Sequence, residues 1–135
     1  MSVKILIFIL VLNINSFASE YAVIMNTHVK VKNLSAKEIK NIFLMKKHFV
    51  NDIKLIPVNS AASLEIRARF EKNILHKNRR KLNKYWVKKH FQGIQPPVVQ
   101  ASMNAVKLFV KNVDGAIGYI PMKLLDSNVK VLYEF

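Results

Sequence analysis

Ser102-Met103-Asn104-Ala105-Val106-Lys107-Leu108-Phe109-Val110-Lys111-Asn112-Val113-Asp114-Gly115-Ala116-Ile117-Gly118-Tyr119-Ile120 reads as a capped helix that runs directly into a strand. Ser102 is a residue type that opens helices, because its hydroxyl accepts from a backbone N–H that has no partner inside the helix. Val106, Phe109, Val110 and Val113 then recur at three- and four-residue steps, which puts them on one buried face. Asp114-Gly115 ends the stripe, and Ala116 to Ile120 is an apolar run without helical period, the pattern of a strand. Gly118 within that run implies close approach of another backbone. A helix that turns straight into an apolar strand is the repeating unit of a layered α/β domain.

The same alternation extends in both directions. Glu20 to Asn26 (EYAVIMN) is rich in β-branched and apolar residues and predicts a first strand. Ser35-Ala36-Lys37-Glu38 is a capping box, and Ile39, Ile42 and Phe43 supply the apolar face of the helix it opens. Asn51-Asp52 predicts a turn, and Ile53 to Asn59 a second strand, in which Pro57 points to an edge or a strand end. After Ser60-Ala61-Ala62-Ser63 comes a helix with Ile66, Phe70 and Ile74 on one stripe. A third helix is expected from about Arg79 to Phe91, apolar at Leu82, Tyr85, Trp86 and Phe91. Gly93 to Pro97 reads as a loop, because neither proline fits a helix interior. Beyond Pro121 one turn leads to a last strand, Val129 to Phe135. The order implies an α/β domain with helices against a sheet of about four strands, at least partly parallel.

Ahead of this domain stand Lys4, an apolar run from Ile5 to Leu12, and the small and polar residues Asn13 to Ser19. That order is a cleavable secretory signal, and eight apolar residues fall short of the roughly 20 that span a bilayer. Ser16 and Ala18 are the small residues a signal peptidase needs, so residues 1–18 are expected to be removed and residues 19–135 to form one domain in the periplasm, with no stable membrane anchor. Without any cysteine the domain has no disulfide framework. The formal charge is +14, with 22 Lys and Arg against 8 Asp and Glu, a field that attracts phosphate, acidic lipid, nucleic acid or acidic protein alike.

Motifs narrow the chemistry. His28, His48, His76 and His90 stand far apart with no metal-ligand spacing, so no metal site is expected. The chain has no G-x-S-x-G elbow, P-loop or dinucleotide fingerprint, which points away from an enzyme and from a cofactor. In the basic block His76 to His90, Tyr85 and Trp86 resemble a stacking platform for single strands. They share a helical stripe with Leu82, however, which assigns them to the core and leaves no nucleic-acid partner expected. Helix starts remain, where backbone N–H groups and the helix dipole bind oxyanions. Ser60-Ala61-Ala62-Ser63, with Arg67 one turn on, and Ala101-Ser102 are two such starts. The competing reading is ordinary capping, with Arg67 in a surface pair with Glu71.

Val23-Ile24-Met25-Asn26, Leu34-Ser35 with Glu38-Ile39-Lys40-Asn41-Ile42-Phe43, Ile56-Pro57-Val58, Arg67 with Phe70, Tyr85-Trp86 with Phe91-Gln92-Gly93, and Asp114 to Ile120 follow one another in an order that resembles the phosphate-binding receptors of ABC importers. More closely, the chain resembles short, single-lobe PstS-like proteins. The resemblance spans about residues 20 to 121 and implies a single lobe of a type 2 periplasmic-binding-protein fold. It also implies a non-enzymatic protein that binds phosphate or another small oxyanion, or assists its uptake, with an ABC permease or other envelope protein as partner. Two departures stand out: the length suffices for one lobe, and Leu64-Glu65-Ile66 occupies the place of a Ser-Gly-Thr turn in the receptors. The fold expectation gathers Ser60, Ser63, Arg67, Ser102 and Gly115 at the carboxyl ends of the strands as ligand-binding residues. The alternative is a basic interaction module that contacts acidic lipid or a protein partner and has no small ligand.

Overall fold

The computed structural model describes residues 18–135, so the expected signal segment lies, except for Ala18, outside the described residues. β1 (Tyr21–Asn26) is buried from Ala22 onward. The capping box then forms as predicted: Glu38 N–H donates to Ser35 Oγ at 3.1 Å, and Ser35 N–H to Glu38 Oε2 at 2.8 Å, starting α1 (Ala36–Phe43). That second bond, first among its causes, holds the Glu38 carboxyl below the usual carboxylate range. Asn51 and Asp52 both take positive φ, 48° and 66°, the pair a two-residue hairpin needs, and join β2 (Phe49–Val50) to β3 (Ile53–Lys54).

β4 (Ile56–Ser60) leads to α2 (Glu65–Phe70), which continues as a π-helical turn over Glu71–Leu75 and stops at His76, φ 52°. α3 (Arg79–Phe91) starts where Asn78 Oδ1 accepts from Lys81 N–H at 2.9 Å. β5 (Val98–Gln100), α4 (Met103–Asn112), β6 (Ala116–Pro121), a 3₁₀ turn (Met122–Leu124) and β7 (Val129–Glu134) complete the chain.

The main sheet has five strands in the order β5-β4-β6-β1-β7. β4 runs parallel to β5 and β6, while β1 is antiparallel to β6 and β7. The strand beyond the expected four is β5, a three-residue edge with Val98 and Val99 both exposed. Pro57 sits within β4, between two strands. Ile56 N–H bonds the Gly115 carbonyl on the β6 side, and β5 begins to pair only at Val58, so the N–H that Pro57 lacks is not required.

Alternation along β1 and β6 separates two cores. Val23, Met25, Ile117 and Tyr119 pack with Ile39, Ile42 and Phe43 of α1, Ile66 and Phe70 of α2, and Leu82 of α3. Ala22, Ile24, Ala116 and Ile120 face α4 through Val106 and Val110. The sheet is thus the middle of three layers. At Gly118 a Cβ would lie 2.7 Å from Val106 Cγ1 and 3.2 Å from Val110 Cγ2, so what approaches this glycine most closely is the side chains of α4. On α3 only Leu82 is fully buried; Tyr85 and Trp86 are half-buried, and Phe91, read from sequence as part of the apolar set, is 85% exposed.

Candidate functional site

Parallel pairing brings the carboxyl ends of β4, β5 and β6 to one edge, and both α2 and α4 begin there. Ser60 closes β4 opposite Gln100 of β5, which puts Ser102 two residues past the matching point. Ser60 is fully buried rather than open to a ligand. Its backbone N and Oγ lie 3.5 and 3.4 Å from the Tyr119 hydroxyl, which in turn donates to Asn59 Oδ1. Phe70 stacks on the Tyr119 ring with centroids 4.0 Å apart. Burial pushes the Tyr119 hydroxyl up to about 12, so it remains a neutral donor at any ordinary pH.

Arg67 does fold back toward this edge, as expected, but its guanidinium meets the protein: Nη1 donates to the Ser60 carbonyl at 2.6 Å. Its Nε lies 3.6 Å from Glu71 Oε2, and Arg79 Nη2 donates to Glu71 Oε1 at 2.6 Å. The Arg67–Glu71 pair is real, but it is not on the surface: the two side chains are 13% and 6% exposed. A desolvated carboxylate between two arginines is a structural clamp on the turn that follows β4.

Ser63 is exposed in the turn before α2, whose N-cap residue Leu64 provides no side-chain cap. Ser102, also exposed, accepts from Ala105 N–H at 3.0 Å and so caps α4 in the ordinary way. Gly115 is not at this edge. Ala116 pairs with Ile56 at the start of β4, so Gly115 lies at the opposite end, roughly 17 Å along the strand from Ser60 at about 3.3 Å per residue. There its φ of 85° lets the Lys54 carbonyl pack where a Cβ would stand, 2.1 Å away.

Between the starts of α2 and α4 opens a crevice of about 440 Å³. Leu64, Met103 and Pro121 form apolar walls, and Glu20, Glu65 and Lys123 contribute charge. None of the five residues chosen from sequence lines it. Ser63 and Ser102 are each next to a lining residue, Leu64 and Met103. Sequence reasoning missed Lys123, together with the buried Asn59 and Tyr119 and the partly exposed Arg79 that pairs with Glu71. Their only sequence signal is a polar residue at an apolar strand end, a tyrosine inside a strand, and a cation eight residues after Glu71.

No family model matches the sequence, and no curated protein does. Solved structures do match. An ABC-type phosphate transport receptor from Vibrio cholerae is 21% identical with a TM-score of 0.67 over 84% of this chain and 45% of that one. A putative phosphate ABC transporter substrate-binding protein with bound phosphate from Clostridium perfringens is 21% identical with a TM-score of 0.70 over 84% and 44%. PstS from Borrelia burgdorferi is 16% identical, TM-score 0.58, over 77% and 41%. This chain spans less than half the length of each. The arrangement of its five strands and flanking helices is a single-lobe, PstS-like periplasmic-binding fold.

Proposed function

We propose that the protein is an exported, non-enzymatic binding protein that takes a small oxyanion of the phosphate class at the carboxyl edge of its sheet, or assists its uptake through an ABC permease. The observation that carries this reading is the convergence of two helix starts, α2 and α4, on one crevice at the ends of parallel strands. Such an edge is where α/β sheets hold ligands, and the fold is one in which a solved relative has phosphate bound. In this reading Lys123 meets the anion in the crevice, and Ser63 and Ser102, each next to a lining residue, reach it from the rim. Ser60 and Arg67 act from behind, holding the turn that presents Ser63. Gly115, at the far end of the strands, has no part in it. Glu65 and Glu20 border the same crevice and oppose an anion, so affinity is expected to be modest.

Thermal unfolding with and without millimolar phosphate, at ionic strength held constant with chloride, tests this. Binding to the folded state alone raises the melting temperature through linkage. Phosphate should raise it in the wild type and not in Lys123→Glu, an exposed substitution that leaves both cores intact. No rise in the wild type, or an equal rise in both proteins, would overturn the proposal.

A further inference from the structure

The charge of the chain is concentrated. Between Glu71 and Asp114 the sequence holds ten Lys or Arg and no Asp or Glu, and α3 forms the centre of that stretch. Six of its thirteen residues are Lys or Arg, and among the described residues only Arg79 of these is in an ion pair. Leu82, Tyr85 and Trp86 turn inward: the Tyr85 hydroxyl donates to the Leu44 carbonyl at 2.6 Å and Trp86 packs edge-on against Tyr85. At helical spacing the opposite stripe is therefore Arg80, Lys84, Val87, Lys88 and Phe91. All five are exposed, Val87 at 59% and Phe91 at 85%.

This stripe is unfavourable in isolation. Arg80, Lys84 and Lys88 are like charges at successive four-residue steps, and Arg79, Arg80 and Lys81 crowd the positive end of the helix dipole. An anionic partner relieves both. We infer that the outer face of α3 docks on an anionic lipid surface, with Phe91 and Val87 entering the interface and Arg80, Lys84 and Lys88 reaching lipid phosphates. The inference is independent of the oxyanion site, which lies at the sheet edge.

The two residue classes select the occupant. Lysines on flexible stems keep their charge at headgroup level while apolar neighbours go deeper, which is how a basic helix lies in an interface. For a nucleic-acid strand the face offers one exposed aromatic, Phe91, because Tyr85 and Trp86 face the core, and an oligonucleotide is therefore an arm of the test. An acidic protein surface is the competing occupant, and binding to polyglutamate in place of vesicles is the outcome that would favour it.

The test is partition of the mature protein onto vesicles of phosphatidylcholine alone and of phosphatidylcholine with one-third phosphatidylglycerol. Binding is expected only to the anionic vesicles and should weaken with salt. At roughly fivefold per cation near such a surface, Lys84→Glu with Lys88→Glu should weaken it about twentyfold or more. Phe91→Ser should cost about tenfold if the ring is buried in the interface. Lys37→Glu with Lys111→Glu, the same change of net charge on exposed residues of other helices, should cost far less. All four positions are exposed, and circular dichroism confirms folding before each measurement. Absence of binding to anionic vesicles, an equal loss in the Lys37 and Lys111 variant, or indifference to Phe91→Ser would each overturn the inference. So would binding of polyglutamate or an oligonucleotide that depends on Lys84, Lys88 and Phe91 while vesicles are ignored.

Discussion

Glu71 is the acid whose removal the fold tolerates least. Its carboxylate is buried, lies between Arg67 and Arg79, and is the only anion facing Arg67 in an ion pair among the described residues. Glu71→Ala leaves the largely buried Arg67 without a counter-charge, and an uncompensated buried charge of that kind costs about 3 to 5 kcal/mol. The midpoint of urea unfolding should fall accordingly with an unchanged slope. A loss of under about 1 kcal/mol would show that water reaches the pair and that the clamp contributes little. Tyr119 gives a second prediction, with a definite sign. Its folded value is raised to about 12 from 10.0, so its contribution is intact below pH 10 and is lost as pH rises from 10 toward 12. Two units correspond to about 2 to 3 kcal/mol. Tyr119→Phe should remove that part of the alkaline decline, measured as stability against pH beside the wild type, which controls for lysine titration. An identical alkaline limb in both proteins would mean that the phenol is solvated.

At the scale of elements, α3 is held by a graded face. Leu82→Ala should cost about 2 to 5 kcal/mol, as buried leucines do. Trp86→Ala should cost less, about 1 to 3 kcal/mol, because the side chain is only partly buried. Phe91→Ala should stay within about 0.5 kcal/mol. Chemical denaturation of the three variants checks the order, and a Phe91→Ala loss equal to that of Trp86→Ala would refute the orientation of the helix. Elements with a strong local signal were legible in the sequence: the capping box of α1, the Arg79-to-Phe91 span of α3, and the Asp114-Gly115 turn. β5 was not, since three residues with two exposed valines carry no alternation and exist as a strand only through pairing with β4. The geometry of the candidate site was legible only in part. Arg67 does return to the carboxyl edge, but β4 is buried on both faces from Pro57 to Ser60, so its pattern gave no sign that the Ser60 hydroxyl points inward. Gly115 was recognisable as a turn glycine, whereas the end of the sheet it occupies depends on the parallel direction of β4 and β6, which is a long-range fact.

For the whole molecule, the first question is where the folded domain begins. Among the described residues the first ladder contacts are made by Glu20 and Tyr21, whose N–H groups donate to the Phe135 carbonyl at 3.1 and 2.9 Å, while Ala18 and Ser19 are exposed and precede β1. A cut after Ala18 keeps both of these Phe135 contacts. A cut two residues further on would delete Glu20, whose carbonyl also accepts from Met122 N–H at 2.9 Å and so ties β1 to the turn after β6. Ser16 and Ala18 are the small residues that a signal peptidase selects, and we propose cleavage after Ala18 on that sequence pattern, ahead of the Glu20 contacts. Among the described residues no helix is long and apolar enough to cross a membrane. Expressed in a Gram-negative host, the protein should be released with the periplasmic fraction, and N-terminal sequencing should begin at or next to Ser19. A cytoplasmic product that retains Met1 would contradict export, and a terminus beyond Glu20 would contradict the role assigned to the Glu20 carbonyl in closing the sheet.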